Sequence, residues 1–183
     1  MAAHGGAGFF NGMHVGVPPV HGRRTTATKP APTHATKPSP PAAVPPGATS
    51  KPLLMPVAGT VNPGFGWVYT SHLGEWYYNP GVTIDAPAGA TVHAAWAGRV
   101  VGVGMAPTTG LTVTVDDGNQ FRTVYSHLGT ALVKDGAWVK QGDPIGTVGG
   151  PSLYSRQPGS HIDFQVYHQG QAVNPQEYER SSS

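Results

Sequence analysis

The chain has 183 residues, a formal net charge of +2 and no cysteine. Its length allows one domain of ordinary size, and the lack of cysteine excludes disulfides and thiolate metal sites without indicating a redox compartment. The sequence contains neither a secretory signal pattern nor a run of ~20 apolar residues, so we expect a soluble chain with no membrane span.

Composition divides the chain near Pro52. Residues 1–51 contain five basic and no acidic residues, whereas the remainder contains six basic and nine acidic ones. Prolines spaced among Thr, Ala and Lys in the first part favour an extended conformation and offer little apolar surface. We therefore predict a basic, Pro-rich arm or linker over 1–51, a folded domain over 52–180 and a polar tail over 181–183. The arm could hold partners in an assembly, and its charge supports only nonspecific attraction to nucleic acid.

Short β-rich runs separated by Gly, Pro, Asn and Asp follow Val57 and predict an all-β domain. The predicted strands are 81–84, 91–94, 98–103, 111–115, 120–127, 144–148 and 161–168. The run 116–119 (DDGN) predicts a tight antiparallel hairpin, because Gly and Asn tolerate positive φ. Alternation of Leu111, Val113 and Val115 with threonine predicts one buried face on that strand.

Aromatic residues fall into two groups. We expect Trp96, Phe121, Trp138 and Phe164 to fill the core of the domain. The aromatic residues between 67 and 78 lie in a segment that reads as a loop, where they either contact a ligand or pack beneath it.

Five motifs occur in one order along the folded part of the chain. They are 86–92 (APAGATV), 97–100 (AGRV), 125–128 (YSHL), 139–146 (VKQGDPIG) and 172–175 (AVNP). Together they resemble the lysostaphin-like, or LytM, zinc endopeptidases, which cut peptide cross-links in bacterial cell walls. The resemblance spans about residues 55–178 and implies a LytM-type antiparallel β-sandwich. The run 150–155 (GPSLYS) with 159–161 (GSH) is most similar to the sporulation-channel branch of the family, which includes members without zinc.

The resemblance also assigns the zinc positions. In the family, a His and an Asp four residues apart and the second His of a His-x-His strand bind zinc, and these positions hold Asn79, Thr83 and Asp163 here. A neutral amide and a hydroxyl are poor zinc ligands, so we expect no catalytic zinc and no other cofactor. The two further family histidines, which act on the attacked carbonyl or its water, correspond to His127 and His161.

Several assignments stay open at this stage. The vestigial pair His127 and His161 is either inert or, with Tyr125, Asn79 and Asp163, lines a groove that contacts a ligand. A relocated zinc set of His72, Asp85 and Asp163 is the alternative to a metal-free cleft, because residues i and i+2 of a strand face the same side. Four further histidines lie in the arm, where weak metal capture competes with a solvated linker. They are His4, His14, His21 and His34.

The resemblance and the substitutions together favour a catalytically degenerate LytM-like domain, a pseudoenzyme that binds cell-wall peptide or a protein partner in a larger assembly. One alternative is an active zinc-dependent murein endopeptidase that uses the relocated ligands. Another is a structural component of a phage particle or other large assembly. The family implies an extracytoplasmic or cell-envelope location, and a phage particle is the alternative location.

Overall fold

The computed structural model describes residues 52–71, 73–151 and 158–179. The arm with its four histidines, His72, most of the 150–155 run and the polar tail lie outside the described residues. The division of the chain near Pro52 therefore stays a prediction.

The described residues form an almost entirely β structure. The elements in chain order are β1 (Thr60–Val61), β2 (Gly66–Thr70), β3 (Glu75–Asn79), β4 (Val82–Asp85), β5 (Thr91–His93), β6 (Gly98–Ala106), β7 (Gly110–Gly118), β8 (Phe121–Ala131), β9 (Trp138–Val139), β10 (Pro144–Val148), β11 (His161–His168), β12 (Gln171–Val173) and a 3-10 helix (Pro175–Tyr178). The main sheet has the order β1-β4-β11-β8-β7-β6-β9, with β10 on β5 and β8, and β12 on β11. All these strand pairs are antiparallel, which confirms the predicted fold class.

The β7–β8 hairpin is confirmed, but its turn lies later than the sequence suggests. Gly118 still pairs with Phe121, so Asn119 and Gln120 form the two-residue tip. Both tip residues have positive φ, 49° and 65°. Two positive φ angles are what the common two-residue hairpin turn requires, because its twist then matches that of the strands.

The core is confirmed for three of the four predicted aromatic residues. Trp96, Phe121 and Phe164 are 5%, 3% and 0% exposed. Trp138 was wrongly predicted to be buried, since it is 78% exposed. Successive strand residues face opposite sides, and on β9 the neighbouring Val139 takes the inward position at 6% exposure.

The aromatic segment between 67 and 78 is not a loop. β2 and β3 form a separate two-stranded antiparallel sheet in which Trp67 pairs with Tyr78, and Tyr69 with Trp76. The ring centroids of these pairs lie 5.5 and 5.4 Å apart. Such cross-strand aromatic pairs stabilise a hairpin that contains few aliphatic residues. Strand β3 ends at Asn79, the first of the predicted zinc positions.

Among the described residues, no helix has the length and apolar character needed to cross a membrane.

Candidate functional site

The site is built around β11, which lies between β4 and β8. Asp163 on β11 pairs with Thr83 on β4 and with Ser126 on β8. The hydroxyl of Thr83 donates a hydrogen bond to Oδ1 of Asp163 over 2.6 Å. The residues at the second and third predicted zinc positions are therefore linked directly, through a side-chain hydrogen bond.

Asn79, at the first predicted zinc position, is hydrogen-bonded to backbone. Its side chain is 8% exposed. The amide Nδ2 donates to the carbonyl oxygen of Gly64 over 3.1 Å, and Oδ1 accepts from the N–H of Gly81 over 3.4 Å. Asn79 thus holds the end of β3 against neighbouring backbone.

The contacts of Asn79, Thr83 and Asp163 decide whether zinc fits the three predicted positions. Zinc in proteins is bound by thiolate, imidazole nitrogen and carboxylate oxygen. Both polar atoms of the Asn79 amide bind backbone, and the Thr83 hydroxyl donates to Asp163. The three positions therefore offer zinc one carboxylate, and this donor set does not fit the ion.

His127 reaches the site through a β-bulge in β8. Leu111 pairs with Leu128 and Val113 with Tyr125, so the two residues Ser126 and His127 oppose the single residue 112 of β7. His127 has a φ of 62°, in the left-handed region. A bulge commonly re-aims a side chain, and here it directs the ring of His127 toward β11, with the ring centroids of His127 and His161 4.8 Å apart.

His161 begins β11 and is 2% exposed. Its Nδ1 lies 3.1 Å from the carbonyl oxygen of Gly159. Because a carbonyl only accepts, the hydrogen bond requires a hydrogen on Nδ1. The Gly159 carbonyl therefore fixes both the tautomer and the orientation of this imidazole.

His127, His161 and Asp163 converge. Each offers one ligand atom, and these three atoms lie within 4.8 Å of one another. Nε2 of His127 is 3.8 Å from Oδ2 of Asp163, and the two side chains are 10% and 28% exposed. Burial lowers the pKa of His127, the nearby Asp163 opposes that shift, and His161 adds to it. The lowered pKa favours the neutral form of the ring, the form that binds metals.

Not every predicted groove residue lies at this site. Tyr125 was wrongly predicted to contact a ligand, because it is 0% exposed and its phenol oxygen accepts a hydrogen bond from the N–H of Ala95 over 2.8 Å. Within the described part of the chain, Asp85 is not a member of the metal-capable group. Since His72 lies outside the described residues, the relocated set with His72 and Asp85 stays a prediction.

Two features of the site were missed at the sequence level. One is the bulge at His127, and the other is the support of His161 by Gly159, whose φ is 101°. The glycine before Ser160 and His161 was a usable signal, because a positive φ favours glycine. The bulge had no such signal, since it depends on the pairing of β8 with other strands.

A family model described as Peptidase family M23 matches residues 77–175. This range includes Asn79, Thr83, His127, His161 and Asp163. The chain belongs to peptidase family M23. This confirms the resemblance to the lysostaphin-like enzymes. The family is usually zinc-dependent, and the structure contains one His/Asp group capable of holding a metal among its described residues.

Individual relatives confirm the same fold. Stage II sporulation protein Q (SpoIIQ) of Bacillus subtilis is 37% identical over 84 residues, which are 46% of this chain and 29% of that protein. A chain of the SpoIIQ–SpoIIIAH pore-forming complex gives a TM-score of 0.62 at 25% identity and covers 72% of this chain and 92% of that chain. The catalytic domain of lysostaphin from Staphylococcus simulans gives 0.56 at 26% identity, with coverages of 67% and 93%.

The aligned regions are minor parts of the curated relatives. They span 39%, 29% and 22% of the length of the first three. The activities and partners of those whole proteins therefore enter below as proposals.

Proposed function

We propose that this M23 domain binds an extended peptide segment, from the cell wall or from a protein partner, and does not hydrolyse it. The observation that carries the proposal is the hydrogen bond between Thr83 and Asp163, at two positions where the family binds zinc. A metal-bound water reaches a pKa near 7, whereas free water does not, so loss of the zinc removes the nucleophile for amide hydrolysis. Two imidazoles alone do not replace that Lewis acid.

Binding needs less than catalysis does. A groove shaped for an extended peptide recognises main chain and shape, and both survive substitution of metal ligands. Among the three converging residues His127, His161 and Asp163, the side chain of Asp163 is the most exposed, at 28%. The site therefore opens to solvent on the side of Asp163. A bound segment would enter from there, over the β4–β11–β8 part of the sheet.

The relatives support a protein partner as one class of ligand. SpoIIQ is part of a pore-forming complex with SpoIIIAH, and one chain of that complex is similar in structure to 72% of this chain. Protein-partner binding in a larger assembly therefore stands beside cell-wall peptide as the ligand class. We place the site of action in the cell envelope or outside the cytoplasm, in keeping with the family's substrate.

The experiment has two arms run on the purified full chain. The first measures binding to isolated peptidoglycan and to a synthetic stem peptide, and the second measures turnover of a cross-linked murein peptide with and without a chelator. We expect saturable binding or capture of a defined protein partner, with no turnover in either buffer. Chelator-sensitive cleavage would instead support the active endopeptidase and refute the proposal.

A further inference from the structure

We propose that His127, His161 and Asp163 form a binding site for a divalent transition-metal ion of the zinc class, at a place displaced from the family's zinc positions. Only Asp163 is shared between the two sets. The inference goes beyond the proposed binding function and does not depend on it.

The first support is the state of His127. The side chain is nine-tenths buried, at 10% exposure, and neither ring nitrogen has a hydrogen-bond partner within the described part of the chain. Leaving buried polar atoms unpaired is costly, so such groups in native structures point to a ligand or a functional role. A metal bound at Nε2 satisfies the atom that faces Asp163.

The backbone of His127 is held in a strained conformation. A residue with a side chain is disfavoured at a φ of 62°, and strain of this kind clusters at functional sites. The N–H of His127 donates to the carbonyl of Thr109 over 2.8 Å, and its carbonyl accepts from the N–H of Gly149 over 3.0 Å. These two bonds fix the bulge, and with it the direction of the ring.

The other two ligands are each oriented by an outer partner. Gly159 accepts from Nδ1 of His161, which leaves Nε2 as the nitrogen for the metal. Thr83 donates to Oδ1 of Asp163, and the other oxygen, Oδ2, lies 3.8 Å from Nε2 of His127. Histidine and carboxylate ligands of protein metals are held by such hydrogen bonds, which set tautomer and orientation.

Of the distances between the three ligand atoms, that between His127 and Asp163 is close to the spacing in a metal centre, and the widest, at up to 4.8 Å, must contract further when the ion binds. Zinc–ligand bonds of roughly 2.0–2.1 Å in a tetrahedron place two ligand atoms about 3.3 Å apart. The His127–Asp163 pair at 3.8 Å needs to contract by about half an ångström, which small side-chain rotations supply. Two imidazoles and one carboxylate suit zinc and cobalt, and the exposed side of Asp163 leaves room for a fourth ligand.

This site would engage both histidines that the family keeps free of metal. Neither imidazole then remains to transfer protons in the cleft. Metal binding and hydrolysis are therefore separate questions in this chain, and the experiment measures them separately.

The test is titration of the full chain with Zn²⁺, followed by calorimetry, and with Co²⁺, followed by the visible absorption of tetrahedral cobalt. We expect one tight equivalent that His127→Ala abolishes and that His93→Ala, a histidine on β5 outside the group, retains. Replacing Thr83 by valine should weaken the affinity 10–100-fold, as for other outer partners of metal ligands, and Thr83→Ser should restore it. Circular dichroism checks that each variant is folded.

A variant with alanine at all four arm histidines separates the arm from the cleft. The proposal requires the tight equivalent to persist in that variant. It is overturned if the wild-type chain binds no tight equivalent, if His127→Ala retains it, or if it follows the arm histidines. Tight zinc without turnover supports both this inference and the proposed function, whereas tight zinc with turnover supports the metal site and refutes the non-hydrolytic function.

Discussion

Thr83 and Asp163 face each other across β4 and β11, and the Thr83 hydroxyl donates to Oδ1 of Asp163 over 2.6 Å. The resemblance to the family predicts that residues at these two positions are joined through a zinc ion. Here a direct hydrogen bond joins them, so the link between the strands no longer requires a metal. The bond also fixes the carboxylate that faces His127.

We expect Thr83→Val to lower the free energy of unfolding by about 1–2 kcal/mol, because it removes a donor to a carboxylate that is partly solvated. Urea denaturation checks this value. Thr83→Ser keeps the hydroxyl and serves as the matched control, with stability close to wild type. Equal stability of the valine and serine variants would show that the hydrogen bond contributes nothing.

The raised pKa of Asp117 makes the stability of the folded chain depend on pH. Burial raises the pKa of this carboxyl from its ordinary value of 3.8 to about 7, against hydrogen bonds from Thr123 that lower it, with a small further rise from Asp116. The folded chain thus binds this proton more tightly than the unfolded chain does. Its contribution to stability is full below about pH 4 and is lost as the pH rises through about 7.

Asp117→Asn removes this titration and still accepts from Thr123. We expect the variant to show a flatter stability profile between pH 4 and 8 and to exceed wild type at pH 8 by on the order of 2–4 kcal/mol. Asp116→Asn, at the exposed neighbour, is the control and should keep the wild-type slope. The measurement is urea denaturation at several pH values, and an unchanged slope in Asp117→Asn would contradict the assignment.

Tyr125→Phe distinguishes a core residue from a groove residue. The substitution leaves the N–H of Ala95 without its acceptor, so we expect a loss of about 1–3 kcal/mol in unfolding free energy and no change in ligand binding. Tyr167→Phe, which loses a partly buried bond to Gln165, should cost less. If Tyr125→Phe has wild-type stability and impaired ligand binding, Tyr125 contacts the ligand and the assignment to the core is wrong.

Two tryptophans should respond very differently to alanine. Trp96 is 5% exposed and packs edge-on against Phe121 and Tyr178, so Trp96→Ala should cost about 3–5 kcal/mol. Trp138 is 78% exposed, and Trp138→Ala should stay within about 0.5 kcal/mol of wild type. Thermal denaturation of the two variants checks the contrast. Similar losses would show that Trp138 packs in solution.

Local patterns predicted the strands well where a single face is buried. The bounds 144–148 and 161–168 agree with β10 and β11, and in β11 apolar residues alternate with polar ones. The hairpin β2–β3 was missed because its stability comes from aromatic pairs between strands, which alternation along one strand does not reveal. Trp138 was wrongly predicted to be buried because its pairing with β6 decides which residue of the two-residue strand β9 faces the core.

The sequence indicated which residues belong to the site but not the hydrogen bonds and orientations that connect them. The resemblance to the family assigned roles to Asn79, Thr83, His127, His161 and Asp163, and the region that matches the family model includes them all. The bond between Thr83 and Asp163 required the register of β4 and β11, which are far apart in sequence. The orientation of the His127 side chain depends on a bulge that forms only when β8 pairs with its neighbours.

The central claim, that the present residues at the family's zinc positions do not support hydrolysis, is tested most directly by restoring those residues. The measurement is turnover of a cross-linked murein peptide in zinc-containing buffer by wild type and by the combined variant Asn79→His, Thr83→Asp and Asp163→His. We predict no turnover by wild type and chelator-sensitive turnover by the variant. Turnover by the wild-type chain at a rate equal to or above that of the variant would contradict the account.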